Sequence, residues 1–200
     1  MRWFLLLTAT LLFWGGCSLQ TTIPPVKMYR LNAPIDSKHY DSAGCQNKVI
    51  RISLLEGTAL LRRQSIYYSD EDSRHYSYTR ARWSENPSAQ LLHLFERSVS
   101  ENGLFKGVIP YKSQAKNQWL LENNVHEFMQ VINKDGTSDI YLKMDLTLVD
   151  EYSKEVLSVQ KIRLNKLGVD ANVQSAVTTF NTLTETALHQ TNIWLNETCR

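Results

Sequence analysis

Between Ile140 and Leu148 every even position is apolar (Ile140, Leu142, Met144, Leu146, Leu148), while the odd positions are mostly polar. Period-two alternation predicts a strand with one wet face. The apolar-rich run Trp119 to Ile132 is long enough for one extended strand, and 133–138, with Asp135-Gly136, predicts the hairpin that joins the two. Val156 to Leu167 follows as the next antiparallel strand, through a turn at 150–154. The period then changes on both sides of this meander. Ser84-Glu85-Asn86-Pro87 is a helix start, because Asn86 can cap and Pro87 loses nothing at the first helical position. Leu91, Leu94, Phe95, Ser98 and Val99 then share one face, and Asn102-Gly103 supplies a left-handed stop. After Gly168, Val173, Ala176, Val177, Phe180, Leu183, Ala187, Leu188 and Trp194 keep helical spacing to near the C-terminus.

Shorter strands are predicted earlier. Val26 to Leu31 and Lys48 to Leu55 are compact apolar runs, separated by an aperiodic stretch, 33–47, that reads as a loop. Gln64 to Ser69 and His75 to Trp83 are Tyr-rich and bracket Asp70-Glu71-Asp72-Ser73, which predicts a hairpin. Strands, a helix, a three-stranded meander and a second helix, with no internal repeat, predict an α+β fold. Its form is a two-layer sandwich, a mostly antiparallel sheet with two amphipathic helices on one face.

The first residues follow no such pattern. Met1-Arg2 precedes Trp3 to Trp14, apolar apart from Thr8 and Thr10 and too short to span a bilayer, which needs about 20 apolar residues. This is the outline of a secretory signal. Gly15-Gly16-Cys17 resembles the bacterial lipobox, although Trp14 stands where Leu is usual. The resemblance implies cleavage after Gly16 and acylation of Cys17. Residues 1–16 are then a lipoprotein signal peptide, 17–25 an acylated tether and 26–200 one domain. Ser18, in place of the inner-membrane retention signal Asp, directs the anchor to the outer membrane. Export also permits Cys45 and Cys199 to pair, which spacing alone leaves open.

Composition changes little. The chain has 200 residues, with 22 Lys+Arg against 20 Asp+Glu, so no charge excess points to a nucleic acid. His126-Glu127 begins like a zinc-protease motif, but the second His is replaced by Gln130, and the surrounding alternation predicts a strand. His39, His75, His93, His126 and His189 have no ligand spacing, so no metal or cofactor is expected. Neither a phosphate loop nor a Gly-x-Ser-x-Gly elbow occurs, and no enzyme activity is expected. Acidic residues such as Glu85 with Glu96, or Asp145 with Asp150, read as solvated.

One segment stands out. Residues 63–87 interleave Tyr67, Tyr68, Tyr76, Tyr78 and Trp83 with Arg63, Arg74, Arg80 and Arg82. Aromatic and Arg residues together are enriched at protein interfaces, and aromatic pairs also stabilise a hairpin. Both readings stand.

That segment, with Tyr29-Arg30-Leu31 after the lipobox, the pattern Arg63, Ile66, Tyr68 before a Tyr-rich strand ending at Trp83, and Gly103-Leu104-Phe105 with Val108 after the first helix, resembles the ABC-type transport auxiliary lipoprotein family. Arg82 and the Cys45/Cys199 pair depart from its pattern. The resemblance implies a non-catalytic, periplasm-facing lipoprotein of the outer membrane. Its partner would be a mammalian-cell-entry (MCE) domain protein and the inner-membrane transport complex behind it, moving phospholipid or other hydrophobic molecules between membranes. Symmetric MCE tunnels imply a ring-shaped homo-oligomer. Tyr67, Tyr68, Tyr76, Tyr78, Arg80 and Trp83 are the expected partner-interface or core residues. The alternative is a lipoprotein assembly factor or plug for an outer-membrane β-barrel.

Overall fold

The computed structural model describes residues 24–35, 38–40 and 43–200; the expected signal peptide, Cys17, Ser18 and most of the expected tether lie outside them. The predicted meander is β7 (Trp119–Ile132), β8 (Thr137–Asp150) and β9 (Val156–Asp170), paired antiparallel in sequence order. All five even-numbered apolar residues from Ile140 to Leu148 are fully buried, as a strand with one wet face requires. Gly136, at φ 85°, turns the first hairpin.

Strand β7 is the spine. Its second edge carries three short strands end to end, each parallel to it: β2 (Val49–Ile52), β3 (Glu56–Gly57) and β4 (Ser65–Asp70). Residues 49–70 thus behave as one interrupted strand beside β7. The predicted Tyr-rich hairpin is β4 with β5 (His75–Trp83), which is antiparallel. Strand β1 (Lys27–Tyr29) closes that side, parallel to β5, and β6 (Gly107–Ile109) lies parallel outside β2. The sheet is open and mostly antiparallel by paired length, with parallel joints at its centre.

Helix α1 (Pro87–Glu101) starts where its cap predicts, the Asn86 side chain accepting from the Ala89 N–H at 2.9 Å. Helix α2 (Val173–Thr198) is capped in the same way, by Asn172 on the Ser175 N–H at 2.9 Å. Buried Asn192 of α2 accepts from Asn102 Nδ2 and donates to Ser98 Oγ, both at 3.0 Å, so the two helices are pinned by polar groups that would be costly to leave unpaired. Between helices and sheet, Trp83, Phe128 and Phe180 form an aromatic centre, with the Phe128 and Phe180 rings stacked at 4.1 Å.

The described residues of the stretch 33–47 are irregular apart from one short turn, as expected, but they are not all solvated. Ala33, Tyr40 and Cys45 are buried, and Ala43–Cys45 forms a single 3-10 turn. Cys45 is disulfide-bonded to Cys199 at the end of α2, with Cα atoms 5.3 Å apart. Gly44 is required there, since a Cβ would collide with the Cys199 carbonyl oxygen.

Candidate functional site

The β4–β5 hairpin gathers part of the aromatic and basic set. Tyr68 lies opposite Tyr76 across the hairpin and opposite Gln130 on β7, so all three share the helix-side face. Tyr68 stacks on Tyr76 with centroids 5.4 Å apart and meets Tyr78 at 4.9 Å. The Tyr78 hydroxyl donates to Gln130 Oε1 at 2.9 Å; Gln130 Nε2 donates to Ser138 Oγ at 2.8 Å; the Ser138 hydroxyl donates to the Val169 carbonyl at 3.1 Å. This relay crosses from β5 to β9 and satisfies two fully buried side chains. Burial pushes the Tyr78 phenol up, neighbouring Tyr68 adds to the effect, and the Gln130 hydrogen bond opposes it.

The hairpin tip is held by charge. Asp70 accepts from the Arg74 N–H at 3.0 Å and from Arg74 Nε at 2.7 Å, and the Tyr76 hydroxyl donates to it at 3.2 Å. The Arg74 N–H chiefly, with its guanidinium and the Tyr76 hydroxyl, outweighs partial desolvation and holds the Asp70 carboxyl below its ordinary range. Glu71 pairs with Lys134 at 3.2 Å, fastening the tip to the β7–β8 turn.

The six residues expected at an interface or in the core therefore separate. Tyr68, Tyr76 and Tyr78 form one cluster, of which Tyr76 is the most open at 41% exposure. Tyr67 is half-buried and, by strand alternation, faces the other side of the sheet. Arg80 is exposed. Trp83 is 2% exposed within the aromatic centre, its ring facing Phe128 and Phe180, so of the interface and core roles it takes the core one.

His126 is the extra residue of a β-bulge in β7, since Val125 pairs with Met144 and Glu127 with Lys143. It is on a strand, as the alternation around it predicts. The bulge aims its Nε2 at Asp145 Oδ2, 2.9 Å away, and Arg163 Nη2 reaches Asp145 Oδ1 at 2.6 Å. Burial pushes the Asp145 carboxyl up, but the Arg163 and His126 contacts outweigh it and hold the group below its ordinary value. Nothing in the local pattern marked this cross-strand ladder. Gln130 did leave a signal: it is a polar side chain at the inward parity of Phe128. Among the described residues no group of three or more His, Cys, Asp or Glu side chains is placed to hold a metal, and no helix is long and apolar enough to cross a membrane.

The arrangement of strands and helices is similar to known structures. The family model for the ABC-type transport auxiliary lipoprotein component matches residues 29–190. A solved structure from Xanthomonas campestris, of the DUF330 family, superposes with TM-score 0.72 over 86% of this chain and 96% of that one, at 11% identity. That of an uncharacterized protein gives TM-score 0.65 over 86% and 99%, at 12% identity. At such identities the likeness is one of fold. No curated protein sequence matches the chain.

Proposed function

The chain belongs to the ABC-type transport auxiliary lipoprotein family, and from that premise we propose that it is a non-catalytic docking component of an intermembrane transport system. In this reading Cys17 carries the acyl chains and Ser18 directs them to the outer membrane. The folded domain faces the periplasm, contacts an MCE-domain protein and helps phospholipid or another hydrophobic molecule pass between the membranes. A homo-oligomeric ring matched to the symmetry of an MCE tunnel belongs to the same proposal.

The observation that carries the reading is the extent of the family match, which runs from β1 into α2, in a chain that also has Gly15-Gly16-Cys17 after a short apolar run. The chemistry of the hairpin supports it. Tyr76, with Tyr68 and Tyr78 behind it, offers rigid aromatic area that can contact a partner at little cost in side-chain entropy. Its backing by Gln130 and Ser138 keeps that area in place.

The test is a detergent pull-down from envelope membranes through a C-terminal tag, read by mass spectrometry of proteins and lipids. Recovery of an MCE-domain protein, lost or mislocalised with Cys17→Ala, is expected. A β-barrel recovered alone would replace this reading with that of an assembly factor. Unchanged membrane association of Cys17→Ala would remove the anchor.

A further inference from the structure

The sheet edge where the described chain begins has an unusual composition. Strands β1 and β5 contain no acidic residue. In their parallel register Met28 lies beside Arg82, while Lys27 and Tyr29 lie beside the buried Ala81 and Trp83. The β4–β5 register breaks between the Tyr67–Ser77 and Ser65–Arg82 pairs, so the parity of β5 changes after Tyr78. Beyond the break, alternation with the buried Ala81 and Trp83 places Arg82, and Met28 beside it, on the face turned away from the helices. Met28 is 56% exposed and Val26 40%, and Arg80, Arg82 and the adjoining Arg30 are exposed as well. Among the described residues, no carboxylate pairs with any of these three arginines, whereas Arg74, Arg97 and Arg163 all have partners.

Two exposed apolar side chains among unpaired cations, on two strands that hold no acid, match the chemistry of an anionic membrane surface, where cations meet headgroups and short apolar groups enter the interface. The chain's own geometry selects that occupant over others. Only seven peptide units separate Cys17 from Pro24, so an extended chain between them spans at most about 25 Å. A membrane holding an acyl group on Cys17 is therefore always within reach of this edge. Strand β9 also exposes Val156, Leu157, Val159 and Leu167 together with Lys161 and Lys166, but it lies at the opposite edge of the sheet, whereas the chain from Cys17 enters at β1.

We propose that the β1–β5 edge, with the exposed Val26, Met28, Arg30, Arg80 and Arg82, rests on the anionic lipid surface of the membrane that carries the anchor. This rests on the acylation of Cys17 proposed above. It fixes the domain's orientation, so that the hairpin and the far edge of the sheet are held in a constant relation to the bilayer.

The experiment uses the full chain, made in a bacterial envelope, purified in detergent and reconstituted in vesicles. The photocrosslinker p-benzoylphenylalanine is placed at Met28 or, as control, at Val159. Acyl incorporation at Cys17 is scored in the same samples. The expected result is a phospholipid adduct at Met28 and not at Val159, stronger in vesicles of phosphatidylethanolamine with phosphatidylglycerol than in phosphatidylcholine alone. Each cation near an anionic surface raises association about fivefold. Arg80→Ala combined with Arg82→Ala therefore lowers the Met28 adduct roughly tenfold or more, with circular dichroism unchanged. With Cys17 acylated, equal lipid adducts at both positions, no dependence on phosphatidylglycerol, or a protein adduct at Met28 would each overturn the lipid surface alone; the last would assign the edge to an acidic partner or a second copy. Absence of acyl label would overturn the anchor, and the proposal with it.

Discussion

The Tyr78 hydroxyl donates a 2.9 Å hydrogen bond to Gln130 Oε1, which couples the outer strand of the hairpin to the spine of the sheet. Gln130 is fully buried, and its amide is committed to Ser138. The hairpin is thus one end of a polar chain that cannot be opened without stranding a buried group. That makes Tyr78 a support for the exposed ring of Tyr76, and the two residues should respond differently to substitution.

Tyr78→Phe keeps the ring and removes the donor, leaving Gln130 Oε1 unsatisfied at a cost of about 1–3 kcal/mol. Urea unfolding followed by circular dichroism should show the loss. Tyr76→Ala removes a ring that is 41% exposed, with its stack on Tyr68 and its hydrogen bond to Asp70, and should shift the unfolding free energy by about 1 kcal/mol, while lowering recovery of the MCE-domain partner in the pull-down. Equal loss of stability in both variants would place Tyr76 among the core residues.

Trp83→Ala should cost about 3–5 kcal/mol, because it opens a cavity against Phe128 and Phe180. Thermal unfolding should show a large drop, and partner capture should fall only in proportion to the folded fraction.

Cys45 and Cys199 are separated by 154 residues, so their bond closes most of the domain into one loop. In the chain-entropy limit such a loop is worth roughly 5 kcal/mol. Cys45→Ser with Cys199→Ser should lower the unfolding free energy, extrapolated from urea titration, by a large part of that amount. Addition of a thiol reductant should shift the wild type toward the double variant and leave the variant itself unmoved.

Asp145 has its pKa held below its ordinary value of 3.8 in the folded chain. A carboxylate with a lowered folded pKa binds protons more readily once unfolded. Its contribution is therefore complete above pH 3.8 and is lost as the pH falls below that value toward the folded pKa. Asp145→Asn removes this dependence, so stability plotted against pH should be flatter on the acid side than for the wild type. A parallel acid limb in the two proteins would show that Asp145 is not among the groups responsible.

Much of the fold was legible because burial imprints a period on the chain. Ile140 to Leu148 alternate since one face of β8 meets the helices, and Asn86-Pro87 and Asn102-Gly103 mark their helix by satisfying its ends locally. The parallel seating of β2, β3 and β4 along β7 left no comparable trace, because the hydrophobic period of a strand is the same whichever neighbour it pairs with. Tyr67 and Tyr68 are adjacent in sequence yet fall on opposite faces, and Trp83 ends a Tyr-Arg pattern that looked like surface until Phe128 and Phe180 closed over it.

The two amphipathic helices, the antiparallel meander, the Tyr-rich hairpin and the likeness to a lipoprotein family are readable along the chain, since each is written in spacings a few residues long. That Cys45 meets Cys199, that Tyr78 is tied through Gln130 to Ser138, and that Met28 lies beside Arg82 emerges only in the folded molecule. Those contacts join residues tens of positions apart, and their partners are selected by the free energy of the whole packed core, which no local pattern records.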